Sequence, residues 1–475
     1  MGALTIAGQK LDAELDGRLE RRIEAALASA RARGAPVLMS LTTCLGAGDA
    51  SAIVLGSRRP GEPWFCFEQP ERDGFALAGL GCARAIEADG PDRFAKVQHG
   101  WQGLAAAALA DPPTGTAGSG LVALGGFAFA HDGCASIKWG QFAAASLVVP
   151  EISLARRDEQ TWLTVNADAA PDDTSADVLA RVRHSLARLQ GSTLPIGDPL
   201  PPMPHRVVSA IPPAHYEDAV ARAVARIRSG ELEKIVLARE VEIEASAAFD
   251  PVPVFGLLRE AFSSSFVYAV GRGESTFIGA TPELLVRREG QRVATVALAG
   301  STRRSADPAV DDHLSEKLLH SDKDREENAI VARRIIRALR PHSVWVVAAE
   351  QPSVVRVANI QHLAAPIRGQ LASPLGAIEL AGILHPTPAV GAEPATALPS
   401  IPALEGIDRG WYAGPVGWTD TTGDGEFCVA LRCALLRGRQ AYCYAGCGIV
   451  GDSDPAAELA ESEMKLGVML PALVA

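Results

Sequence analysis

The sequence predicts an α+β fold. Strand-like segments follow one another without helices between them, long amphipathic helices separate groups of strands, and no fixed-period repeat is present. The first element is a helix over residues 11–33, whose apolar residues recur at helical spacing and which stops at Gly34. The strand-like PVLMSLTT follows, and the β-branched and aromatic runs PWFCFEQ, ALGGFAFA, ASLVVPEISLA and TWLTVNA predict further strands. Between residues 191 and 213 proline recurs so often that the chain is expected to run as an extended connection, since proline continues neither a helix nor a central ladder. A boundary is placed there, dividing an N-terminal lobe, 1–204, from a C-terminal region, 205–475. The pattern leaves open whether the two are separate domains or lobes sharing one sheet.

Past the connection come a helix over 216–229, a strand over 234–243, a helix over 252–262 and the strands SFVYAVGR, STFIGA, ELLVRRE and RVATVALAG. A long helix over 321–339 and a strand over 344–349 lead to the strands YAGPVGWTD, EFCVALRCALL and AYCYAGCGIV. The last helix starts at Pro455, with Asp454 as its cap.

Composition narrows the function. A chain of 475 residues, 48% hydrophobic and 21% charged, can bury one large core or two ordinary ones. A net charge of -11 without clustered Lys and Arg argues against a nucleic-acid partner. The eight cysteines form no Cys-x-x-Cys pair, so neither a zinc site nor a disulfide framework is expected, and reduced thiols suit a cytoplasmic protein. The N-terminus becomes charged too early for a signal peptide, and the most apolar stretch, 120–130, is too short to span a membrane.

Several polar residues in the second half stand out from their surroundings. Lys234 opens the apolar run KIVLAR; desolvation at a buried strand end would favour the neutral amine that a general base needs, although a lysine at a solvent-facing end is the plainer alternative. Glu283 follows Thr-Pro in FIGATPELLV, where an acidic turn residue is ordinarily solvated. Glu327 shares a helical stripe with Val331, Ile335 and Ala338, so it needs a metal, an arginine or the helix dipole as partner. On the last helix Glu458, Glu461 and Lys465 occupy one face, which suits a surface ion pair or, given the glycine-bearing AGCGIVGDSDP before it, an anion site. Arg432 is the one charge in VALRCALL, suited to gripping a carboxylate or to an internal ion pair.

In order and spacing, KIVLAR, FIGATPELL, ALAGSTRR, SDKDREEN, LHPTPAVGAEP, GDGEFCVALRCA and AGCGIVGDSDPAAELAESEMK resemble the chorismate-utilising enzymes, and within them the isochorismate-forming branch. The likeness runs from about residue 231 to the end, and more faintly through LGGFAFA, Trp139 and LVVPEI. It implies a large α/β sandwich, with β-sheets in the core and helices outside, to which both halves contribute.

By the same resemblance Lys234 is the general base and Glu283 the general acid, while Glu327 and Glu461 bind Mg2+. Arg432, Lys465 and Gly446 would hold the side-chain carboxylate of chorismate; Gly300, Ser301, His385, Ala389 and Val390 would line the ring pocket. The implied reaction adds water at ring carbon 2 with loss of the carbon 4 hydroxyl. Two departures stand out: Asn328 replaces the family's usual histidine, and Ala392 a frequent glycine. An amine-transferring relative usually lacks the lysine. A salicylate synthase, which goes on to eliminate pyruvate, usually differs in HPTPAV, and a non-catalytic scaffold would have lost one of these positions. No glutaminase subunit is expected, and a monomer is.

Overall fold

The computed structural model describes residues 5–6, 9–10, 13–113, 115–191, 193–194, 205–357 and 360–474. Two large antiparallel sheets dominate it. The larger has 12 strands, running from the edge strand His205–Ser209 through Lys234–Ala245, Gln440–Ile449, Cys433–Arg437, Ser275–Thr281 and Phe266–Gly273, and then through N-terminal strands to Val37–Gly46. The smaller has 10, with Ile360–Leu371, Arg292–Arg303, Leu284–Glu289, Gly425–Val429 and Pro415–Asp420 followed by Val122–Phe127, Ala145–Val149 and Arg84–Ala88. Each sheet therefore mixes strands from both sides of residue 205. Most of the proline-rich connection, 195–204, lies outside the described residues.

Strand composition explains the layering. In Phe266–Gly273 the residues Phe266, Tyr268 and Val270 enter one apolar core, while Val267 and Ala269 enter the other. Because successive side chains point to opposite faces, a strand that is apolar at every position must be covered on both. The inner cover is the second sheet: Phe67 and Phe277 of the larger meet Phe127, Trp418 and Phe427 of the smaller in a shared core. Outside the larger sheet lie helices including Ala13–Arg33, Ser175–Ala187 and Pro251–Ala261, which contribute Leu19, Ile23, Val178 and Phe255. Among the described residues no helix is long and apolar enough to cross a membrane.

The predicted helices recur with small shifts, as Ala13–Arg33, Pro213–Arg228, Pro251–Ala261, Asp322–Leu339 and Pro455–Leu466. Two apolar segments behave differently. ASLVVPEISLA and EFCVALRCALL, expected to be single strands, are each broken in two, with one piece in each sheet: Ala145–Val149 and Ile152–Arg157, and Gly425–Val429 and Cys433–Arg437. The adjacent strands Ser275–Thr281 and Leu284–Glu289 likewise belong to different sheets. Pro150 and Pro282 mark two of these crossings, where a residue without an N–H ends the ladder.

Candidate active site

Two of the crossings run side by side and build one wall of a cavity. Pro282 and Glu283 lie between Ser275–Thr281 and Leu284–Glu289, and residues 430–432 between Gly425–Val429 and Cys433–Arg437. They are tied together by Val429 N–H donating to the Glu283 carbonyl at 3.0 Å and Ala280 N–H donating to the Arg432 carbonyl at 3.1 Å. Arg432 is thus no strand residue, contrary to the expectation. It sits in the left-handed region at φ 47, a conformation that a residue with a side chain adopts only where its surroundings enforce it. Both Glu283 and Arg432 line the cavity.

Glu283 is 3% exposed. Burial raises its carboxyl pKa to about 8, against the opposing pull of Lys234, Arg432 and Lys465. At neutral pH it carries its proton.

Lys234 begins Lys234–Ala245 and is completely buried, so the solvent-end alternative does not hold. Its Nζ lies 2.8 Å from Glu327 Oε1. Glu327 is carried in by Asp322–Leu339, whose Val331 and Ile335 enter the core. The neighbouring Asn328 fixes the helix: its Nδ2 donates to the carbonyls of Ala297 at 2.9 Å and Leu363 at 3.0 Å. The substituted asparagine therefore holds helix to sheet. Gly448 lies across the ladder from Val236, and a Cβ there would collide with Glu327 Oε1 and lie 2.8 Å from Lys234 Cε. Gly448→Ala is expected to push this pair apart and lower turnover about a hundredfold without unfolding the chain, measured by steady-state kinetics beside circular dichroism.

Opposite this pair, Glu461 Oε1 lies 2.6 Å from Lys465 Nζ and accepts from Ser301 Oγ at 2.9 Å. Burial works against the Glu461 charge, but Lys465, Ser301 and Lys323 outweigh it and hold the carboxyl at about 2. Ser301 reaches it because the ladder slips between Leu298 and Ser301. Such a bulge re-aims the side chain that follows it. Gly300, inside the bulge, has φ +80, and a Cβ there would be 2.8 Å from Asp324 Cβ, so only glycine fits. Lys465 also donates to the Gly446 carbonyl at 2.9 Å.

Two polar residues that sequence reasoning had not placed in the site join it. Glu458, one turn before Glu461, is buried; its ligand atom, that of Glu461 and Cys447 Sγ lie within 4.8 Å of one another. Burial pushes the Cys447 thiol up to about 12, so it stays protonated and offers a hard cation little. Carboxylates make up the useful donor set, which suits Mg2+. His362, on the unpredicted strand Ile360–Leu371, accepts from Arg432 Nη2 through Nε2 at 3.3 Å; burial and then Arg432 keep it neutral.

Ala389 and Val390 line the cavity, as do Gly300, Ser301 and Gly446. His385 stands apart and is not among the lining residues. Its Nε2–H donates to the Phe129 carbonyl at 3.0 Å, its ring meets Phe129 edge-on, and burial lowers its pKa to about 3, so it is a neutral core residue. The loop that carries it is held from the other end. Arg409 Nη1 donates to the Val390 carbonyl at 2.8 Å and Nη2 to the Val236 carbonyl at 3.0 Å, while its buried partner Glu405 accepts from Ala238 N–H at 2.7 Å.

Residues 24–474 match the family model described as chorismate binding enzyme. The salicylate biosynthesis isochorismate synthase of Pseudomonas aeruginosa is 36% identical over 460 residues, 96% of this chain and 94% of that protein. Isochorismate synthase MenF of Bacillus subtilis is 31% identical, over 86% of this chain and 87% of its own length. Among solved structures, the menaquinone-specific isochorismate synthase MenF of Escherichia coli superposes with a TM-score of 0.76 at 23% identity, covering 95% of this chain and all of the other, which speaks to the fold.

Proposed function

The chain belongs to the chorismate-binding enzymes, and from that premise we propose that it interconverts chorismate and isochorismate, with Lys234 as base and Glu283 as acid. One observation carries the assignment of roles: a carboxyl that keeps its proton at neutral pH lines the cavity, and a fully buried lysine stands directly behind Glu327 and Gly448 of the cavity wall. A base and an acid that hold opposite protonation states at one pH are what addition of water with loss of a hydroxyl requires. Lys234 takes the proton from the water that attacks ring carbon 2. Glu283 gives its proton to the hydroxyl leaving carbon 4. In the reverse direction the two exchange roles.

Glu327, Glu458 and Glu461 would hold a Mg2+ ion, which when bound supplies positive charge for the ring carboxylate of the substrate. Arg432 and Lys465 bind the second carboxylate, and His362 keeps the Arg432 guanidinium oriented. Arg409 fixes the distance between the strand that carries Lys234 and the loop that carries Ala389 and Val390. The reaction needs no ammonia, so the chain acts without a glutaminase subunit, as a monomer in the cytoplasm.

Purified protein incubated with chorismate and MgCl2 is expected to yield isochorismate by liquid chromatography, with neither salicylate nor pyruvate accumulating. Stoichiometric salicylate and pyruvate would replace this reading with a salicylate synthase, and no turnover of chorismate would end it.

A further inference from the structure

Glu327 and Glu461 line the cavity, Glu458 lies beside Glu461, and each of the three carries its own lysine. Lys234 lies 2.8 Å from Glu327, Lys465 2.6 Å from Glu461 and Lys323 3.3 Å from Glu458. The lysines differ in freedom. The side chain of Lys234 is fully buried and that of Lys465 is 11% exposed and anchored a second time on the Gly446 carbonyl, whereas that of Lys323 is 41% exposed and its contact is the longest. Lys323 also occupies the first turn of Asp322–Leu339. The positive end of a helix dipole disfavours a cation there, so the carboxylates and not the helix hold the ammonium in place.

We propose that Lys323 is a displaceable counter-ion, which neutralises the carboxylate cluster while it is free of metal and swings into solvent when a divalent cation takes Glu458 and Glu461. This rests on the magnesium reading above. Two cations cannot share the same carboxylate oxygens at contact distance without strong repulsion. Metal binding is then a competition against a tethered ammonium, and the solvent-facing stem of Lys323 gives the loser somewhere to go. Lys234 and Lys465 lack that exit and hold only Oε1 of Glu327 and Glu461, so they stay while the metal meets the other oxygen of each carboxylate.

The test is a calorimetric titration of the full-length protein with MgCl2, alongside thermal unfolding with and without the metal. Lys323→Met is expected to bind Mg2+ about three- to tenfold more tightly than the natural chain, the range a partly exposed ion pair can supply. Its melting temperature without metal should fall and its rise on adding Mg2+ should grow, because like charges in the cluster lose their neutralising partner. Lys323→Arg, which keeps the charge, should stay near the natural chain in both measurements. Unchanged or weaker Mg2+ binding by Lys323→Met would overturn the proposal and make Lys323 a support for Glu458. A natural chain that bound no Mg2+ in the same titration would fail the magnesium reading first, and the proposal with it.

Discussion

Lys234→Ala is expected to lower turnover about a thousandfold, within the range that a positioned base contributes, while chorismate and Mg2+ still bind. The lysine is buried and its Nζ faces Glu327, so a purely structural role is the serious competitor: removing one partner of a buried pair leaves the other uncompensated and destabilises the fold. Lys234→Arg separates the two. A guanidinium still offers Glu327 a partner but does not give up its proton near neutral pH, so it cannot act as a base. If Lys234 is the base, both variants lose turnover, and the arginine variant keeps more of its thermal stability than the alanine variant. Single-turnover measurements with saturating chorismate and Mg2+, read with melting temperatures, decide the matter. Near-normal turnover by either variant would remove Lys234 from that role.

Much of this site was legible in the sequence because it depends on ordered motifs, and much of its geometry was not. KIVLAR, SDKDREEN and the last helix drew attention to Lys234, Glu327 and Glu461, since a charge at the end or on the buried face of a regular element is visible as a break in its pattern; in the structure Glu327 and Glu461 line the cavity and Lys234 lies behind Glu327. The crossings were invisible for the same reason that the core is good. EFCVALRCALL reads as one strand because it is apolar throughout, and nothing in the pattern tells that one half belongs to one sheet and the other half to the second. The left-handed turn at Arg432 falls inside that run, where side-chain type gives no warning. His362 was missed because Pro366 argues against a central strand, yet Ile360–Leu371 pairs on both sides. Glu458 was noticed as a neighbour of Glu461 on one helical face, but only folding, which buries it next to Cys447, separates it from an ordinary surface charge. His385 shows the opposite failure: a motif placed it in the pocket, and packing against Phe129 took it away.

Glu283→Gln should give an enzyme about a thousandfold slower in turnover and more stable than the natural chain. The two effects have one cause. A glutamate whose carboxyl is moved from its ordinary value of 4.5 to about 8 keeps its proton in the folded state after the unfolded chain has lost it. Over that interval the folded state binds more protons, so stability falls as pH rises, by about 1.4 kcal/mol for each unit. The loss is absent below 4.5, grows between 4.5 and 8 and is complete above 8, where it amounts to a few kcal/mol. Glutamine has the same shape and does not ionise, so the variant escapes the loss. Its advantage in melting temperature should therefore be small near pH 5, widen toward pH 8 and level off beyond. Activity follows the same group in the other sense: turnover of the natural chain should decline on the alkaline side with an apparent pKa near 8, as the acid loses its proton, and the residual rate of the variant should lack that limb. A stability difference that stayed flat from pH 5 to pH 9 would mean that Glu283 is ionised in the folded protein, and a carboxylate at that position has no proton to give the leaving hydroxyl.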